Sequence, residues 1–552
     1  MLHNKRKVDV WTFVSLVIMA AFILTLLYPM IKIFRLAVLD ESGRFTLQNF
    51  ATFFSKPYYS RTILNSFELA VLITLCSLLI GIPFSYFYSF YVLKGAKTIF
   101  ILSILCCMSA PFIGAYAWIL LLGRSGVLTV FLENTLHIKM FGSIYGMGGI
   151  VLVETLKLFP LVFIYMNGAF KNIDNSLLEA SANLGCVGVN RLLKIILRLC
   201  MPTILAASLL VFMRSFADFG TPLLLGEGFR TFPVEIYNQY LGENGTDFHF
   251  AATISVIAIV ITALVFALQK WGTNKFKFSI NALHPVQKKN PGLVGGILMN
   301  AYCYLIIAFS FLPQLYVIYL SFKKCDMAVF KAGFSFDSYR AAARRLLFRS
   351  FSNSLLISGL ALLVIILLSI FIAYLVVRRS NLWNNLIDSI SMIPYIIPGS
   401  VIGIALVIAF SNKPLALTGT MLIMIISFVI RRMPYTIRSA TANLIQIPMS
   451  IEEASISLGT SKLKTFRAVT VPMMTNGILS GAILSWVSLV TELSSSIILY
   501  NNSTITLTMS AYVSIAMGNY GMACAFSSIL TVLTFVSLLV YLKVSGAEDI
   551  QV

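Results

Sequence analysis

Two carboxylates stand where carboxylates are expensive. Asp218 lies in Phe216-Ala-Asp-Phe-Gly-Thr-Pro222, and Glu492 lies in Val490-Thr-Glu-Leu-Ser-Ser495, each late in a long apolar run. Ionisable groups inside a bilayer are rare and mark substrate paths, proton relays or internal pairs. The two positions are in register, since 492 − 218 = 274. Two hard oxygen ligands facing one path would favour a hard metal ion. The competing reading of Asp218 is an intrahelical pair with Arg214, four residues earlier. Glu492 has Ser488 at the corresponding place and so lacks that partner. An anionic cargo would look instead to Arg214, read as the one candidate cation well inside a span. Glu154 and Lys157, three residues apart, read as a helix-surface pair, and Glu68 is undecided. His137, His249 and His284 show no ligand spacing and read as structural.

A second motif shares the same offset. Glu179-Ala180-Ser181 is followed by Gly185, and Glu453-Ala454-Ser455 by Gly459, with 453 − 179 = 274. Leu177–Leu184 and Ile451–Leu458 read as short amphipathic helices, each closed by a glycine suited to a left-handed turn. Basic residues follow in both copies: Arg191 and Lys194, then Lys462, Lys464 and Arg467.

The elements around these motifs are membrane spans. Of 552 residues, 58% are hydrophobic and 11% charged, against about 25% charged in soluble proteins. Apolar runs of about 20 residues recur along the chain. The expected fold is an all-α membrane protein with about twelve transmembrane helices. They fall near 10–36, 64–90, 98–122, 146–170, 202–224 and 249–270, then 294–321, 353–378, 386–411, 416–437, 473–499 and 521–543. These form two parallel six-helix repeats, 1–285 and 286–552, with loops of interest at about 174–202 and 448–476. Asn65-Ser66 and Asn353-Ser354 open equivalent spans at an offset of 288. The first repeat therefore carries ~14 extra residues, placed between Gly123 and Gly146. Trp271 to Pro291 reads as the linker.

The net charge of +20 flanks the spans and points to cytoplasmic loops and anionic lipid rather than nucleic acid. With the N-terminus cytoplasmic, both Glu-Ala-Ser loops face the cytoplasm. The segment 322–352, rich in Lys and Arg, then falls outside against the rule, either as solvated charge or as a docking surface for an acidic partner. Eight cysteines without a CxxC pair indicate neither a disulfide framework nor a zinc site.

The repeated motif resembles the coupling loop of binding-protein-dependent ABC importer permeases, Glu-Ala-Ala, three residues, Gly, nine residues, Ile, one residue, Leu-Pro. The second copy matches with Glu453, Ala454, Ser455, Gly459, Val469, Val471 and Pro472. The first has Glu179, Ala180, Ser181, Gly185, Ile195 and Leu197, but Arg198 replaces the proline, which returns at Pro202. The stretches around Asp218 and Glu492, with Arg230 to Tyr240, are similar to the fused permeases of ferric-iron ABC importers.

The resemblance implies that each helix–turn–helix fits a groove on an ATPase subunit, where Glu179 and Glu453 pair with basic residues. It implies two ATPase copies, an extracytoplasmic substrate-binding protein and a multi-pass place in the bacterial inner membrane, with both termini cytoplasmic. No GxxxxGK[ST] phosphate loop occurs here, so ATP and Mg belong to the partner. The chain is expected to be no enzyme and to hold no cofactor of its own. Two alternatives stay open. One is import of a phosphonate, sugar phosphate or other small polar solute. The other is an ion-coupled secondary transporter.

Overall fold

The computed structural model describes residues 10–40, 42–108, 111–135, 137, 143–241, 247–275 and 286–545. His284, the basic N-terminal cluster at residues 3–7 and Lys277 of the linker lie outside these. The first repeat contains α1 (Val10–Ala37), α2 (Gln48–Ser55), α3 (Pro57–Phe90), α4 (Ala96–Met108), α5 (Pro111–Leu122), α6 (Val127–Thr135) and α7 (Met147–Lys171). There follow α8 (Asn175–Asn183), α9 (Gly188–Leu199), α10 (Met201–Phe216), α11 (Gly220–Leu225), α12 (Phe232–Leu241) and α13 (Phe248–Lys275). The second repeat opens with α14 (Leu293–Ser321), a hairpin of β1 (Lys323–Asp326) and β2 (Val329–Phe334), α15 (Asp337–Arg345) and α16 (Leu347–Arg378). It continues with α17 (Leu382–Ile396), α18 (Gly399–Phe410), α19 (Met421–Gln446), α20 (Met449–Ser457), α21 (Lys462–Met473) and α22 (Thr475–Val490). It closes with α23 (Ser496–Leu499), α24 (Leu507–Ala516) and α25 (Tyr520–Ser545).

A helix satisfies its own backbone hydrogen bonds, which is why apolar segments in hydrocarbon take this form. Among the described residues, eight helices are long and apolar enough to cross a membrane, and three bent pairs raise the number to 11. The sequence reading expects straight spans where the structure breaks them. The stretch 386–411 bends by 112° between α17 and α18. Ile397 takes extended backbone ahead of Pro398, because a residue before proline is pushed out of the helical region. The runs 202–224 and 473–499 end their helices at Phe216 and Val490, just before the two carboxylates. The all-helical expectation also misses the short hairpin at 323–334.

The repeat is visible element by element. α5 and α18 have the same bounds at an offset of 288; α8, α9 and α10 reproduce α20, α21 and α22 at 274. The change of offset falls between Leu122 and Met147, where the first repeat inserts α6. Asn65 donates to the Arg230 carbonyl and Ser66 accepts from Phe232 N–H. Asn353 donates to the Ser503 and Ile505 carbonyls and Ser354 accepts from Leu507 N–H. Equivalent polar pairs thus tie the long second helix to the start of α12 in one repeat and α24 in the other.

Within each repeat the same helices pack: α3 with α7 and α10, α16 with α19 and α22. The first helix of each repeat is exchanged. α1 packs on α17 and α18, and α14 packs on α4 and α5. This exchange makes the two repeats one body around a shared interior. The linker also makes a fixed contact, since Lys289 exchanges backbone hydrogen bonds with Phe90 and Val92.

Candidate functional site: a charged cavity and two repeated loops

A cavity of about 240 Å³ lies where the repeats meet. α7 contributes Lys157 and Tyr165, α10 contributes Arg214, α17 contributes Tyr395, and α19 contributes Arg431, Arg432 and Tyr435. Asp218 and Glu492 line it from the breaks that follow α10 and α22. The structure therefore brings both expected carboxylates to one cavity.

Their partners differ from expectation. Glu492, read as lacking an intrahelical partner, is buried and accepts from both Arg431 and Arg432. It also caps the next turn by accepting from Ser495 N–H at 3.2 Å. Asp218 lies 3.6 Å from the Lys157 ammonium and accepts from Thr221 N–H at 2.9 Å. The two sites are the same device: Lys157 and Arg431, Asp218 and Glu492, Thr221 and Ser495 are each 274 apart. Ser and Thr suit this cap because the break frees backbone donors that a carboxylate can satisfy.

Glu154 and Lys157 are not a helix-surface pair. Glu154 is 1% exposed, and holds Lys157 at 2.9 Å and the Thr221 hydroxyl at 2.6 Å. Arg214 donates to the Tyr435 hydroxyl of the other repeat at 3.0 Å. It is also not alone as an intramembrane cation, because Lys157, Arg431 and Arg432 share its cavity. The sequence reading misses Arg431 and Arg432. Their signal was present, as adjacent arginines in an apolar run, one of them in register with Lys157.

Both carboxylates are thus engaged by bases. Among the described residues no three His, Cys, Asp or Glu side chains gather as a metal-ligand group. Glu68 is exposed and outside the cavity. His249 sits between the Leu36 and Leu39 carbonyls, at 3.0 and 2.7 Å, and fastens α13 to the end of α1. His137 lies in a loop near the Glu133 carbonyl.

The Glu-Ala-Ser loops adopt one geometry twice. Gly185 and Gly459 have φ of +77° and +88°. Cys186 N–H bonds to the Ser181 carbonyl and Gly185 N–H to the Ala182 carbonyl; Thr460 and Gly459 do the same to Ser455 and Ile456. This doubly bonded ending needs a left-handed residue, where glycine carries no Cβ penalty. Both loops continue into a helix that contains one wide, π-type turn, Leu192–Ile196 or Phe466–Thr470, then bend into α10 by 78° or α22 by 64°. Arg198 in place of Pro472 leaves these element boundaries unchanged.

Glu179, Ala180, Glu453 and Ala454 are exposed. Beside the glycines, Leu184 and Leu458 are each 87% exposed. The loops are anchored differently. Arg378 bonds to Glu452 at 2.8 Å and to the Ile447 carbonyl at 2.7 Å, fixing α20 to α16. In the first repeat the corresponding positions are Phe90 and Leu178, both buried in one apolar cluster.

A helical membrane protein with two equivalent halves, a charged cavity between them and two matching exposed hairpins is a permease-like architecture. The chain belongs to the family described as binding-protein-dependent transport system inner membrane component, which it matches over residues 1–277 and again over 365–545. It is a multi-pass membrane permease of the ABC importer type. It is 28% identical over 529 residues to the ferric transport system permease protein FbpB of Actinobacillus pleuropneumoniae, covering 94% of this chain and 75% of that one. It is 29% identical over 492 residues to the putative ferric transport system permease protein FbpB 1 of Haemophilus influenzae, covering 87% and 76%. The molybdate/tungstate transport system permease protein WtpB of Pyrococcus abyssi is 29% identical over 178 residues, 32% of this chain and 69% of that one.

Proposed function

We propose that this chain, with repeats 1–285 and 286–552, forms the whole pore of a ferric-iron importer and moves its cargo inward by alternating access. Ferric iron is the cargo named for three relatives that each match 86% or more of the chain. Glu179, Ala180, Gly185, Glu453, Ala454 and Gly459 dock two copies of an ABC ATPase on the cytoplasmic face, where the partner binds ATP and Mg. An extracytoplasmic binding protein delivers the cargo. The observation that carries the coupling reading is the pair of exposed hairpins with one backbone geometry, each bent directly into a cavity-lining helix.

The mechanism follows from that connection. α9 and α10 are joined at Cys200, and α21 and α22 at Met474. A push on each hairpin swings α10 and α22, whose far ends carry Asp218 and Glu492. The carboxylates are latched to α7 and α19 by Lys157 and Arg431. ATP binding favours one arrangement of these helices and hydrolysis the other, so cargo affinity differs between states. Reconstitution in proteoliposomes with ATPase and binding protein tests this. Uptake of ⁵⁵Fe must require all three components and ATP. Uptake without the ATPase would favour ion-coupled transport instead.

A further inference from the structure

The cavity carries more positive charge than the ferric reading needs. Four cations line it, Lys157, Arg214, Arg431 and Arg432, against two carboxylates, Asp218 and Glu492. Glu154 behind Lys157 brings the acids to three and still leaves one cation in surplus. Each carboxylate is already ion-paired with a base and accepts from a backbone N–H. A trivalent ion entering alone would have to strip these oxygens from guanidinium and ammonium groups, then sit among like charges.

Register separates the repeated pairs from the cations found in one repeat only. Lys157–Asp218 and Arg431–Glu492 are repeat-equivalent pairs, present in both halves. Arg214 and Arg432 have no equivalents, since the matching positions are Ser488 and Leu158. Arg432 donates to Glu492 through one terminal nitrogen, and its Nε is buried with no hydrogen-bond partner among the described residues. The Tyr435 hydroxyl accepts from Arg214, which leaves its own proton to donate, and Tyr165 and Tyr395 line the same space. Guanidinium forks and phenol donors converging in a membrane interior are the chemistry of oxyanion binding.

We infer that the cavity holds its cargo through an oxyanion, grasped by Arg214, Arg432 and Tyr435, so that ferric ion crosses with a small oxygen-donor anion coordinated to it rather than bare. This rests on the ferric reading for the metal, but the anion site stands on the cavity itself.

Two labels separate the two ideas. The full chain with ATPase and binding protein is reconstituted and offered ⁵⁵Fe(III) with [³²P]phosphate or, in a parallel arm, [¹⁴C]carbonate. Binding of each anion to the purified permease–ATPase complex is measured alongside. The expected result is that one anion label enters with ⁵⁵Fe at a constant ratio and binds the complex. Arg214→Gln should cut both binding and co-uptake at least tenfold. Arg432→Gln paired with Glu492→Gln, which removes one charge of each sign and so spares the fold, should do likewise. Anion entry and binding without ⁵⁵Fe would uphold the site while overturning iron as cargo. Entry of ⁵⁵Fe with neither label, or absence of anion binding, would overturn the inference and leave the iron reading standing.

Discussion

Removing the charge from Glu492 should cost far more than removing it from Asp218, although the two are repeat-equivalent. Glu492→Gln leaves Arg431 and Arg432 facing each other, with side-chain exposures of 12% and 17%. Breaking a buried ion pair from one side typically costs about 3–5 kcal/mol, because the remaining charge is stranded. Asp218→Asn leaves Lys157 with Glu154 at 2.9 Å. It loses a 3.6 Å ion contact and weakens one cap to Thr221, worth about 1–2 kcal/mol together. The expected difference of about 2–3 kcal/mol should appear in the thermal unfolding midpoint of the purified full chain in lipid nanodiscs. The double variant Glu492→Gln with Arg432→Gln should recover a large part of the loss, since coupled neighbours are not additive. Equal shifts for the two single variants, or no recovery in the double, would refute this account of the cavity.

Three further perturbations address the loops and the cavity wall, and a fourth, outside both, serves as their control. Gly459→Val puts a β-branched side chain at φ of +88° and should cost at least about 1 kcal/mol locally; ATPase stimulation by the permease should fall while membrane insertion persists. Arg378→Ala frees Glu452 and the Ile447 carbonyl together, so α20 should exchange amide hydrogens faster than α8, whose Phe90–Leu178 anchor is untouched. A Cβ at Gly399 would fall on the Arg431 guanidinium; Gly399→Ala should therefore lower ⁵⁵Fe uptake, whereas Glu68→Gln, exposed and outside the cavity, should leave it within about twofold.

Much of the fold was legible because duplication prints itself in register. The offsets of 288 and 274, with the insertion between Gly123 and Gly146, coincide with the observed helix boundaries and with α6. The glycines of the loops were legible because a left-handed ending narrows the choice of residue. The broken spans were less so, although Pro398-Gly399 is a local stop signal. The pairing of Glu492 was not legible from neighbours at helical spacing, since its partners lie on α19, 60 and 61 residues earlier. The same holds for Glu154, whose burial is decided by α11 folding back across α7. Hydropathy places a charge in a span; only packing says which charge faces it.

The most direct test of the central claim is ATP hydrolysis by the complete complex in lipid. The binding protein is supplied empty or loaded with ferric ion, to wild type and to Glu179→Ala with Glu453→Ala. The account predicts stimulation by the ferric-loaded protein in wild type, and loss of the link between hydrolysis and ⁵⁵Fe uptake in the double variant. Equal hydrolysis with empty and loaded protein, or undiminished uptake without the two glutamates, would contradict it.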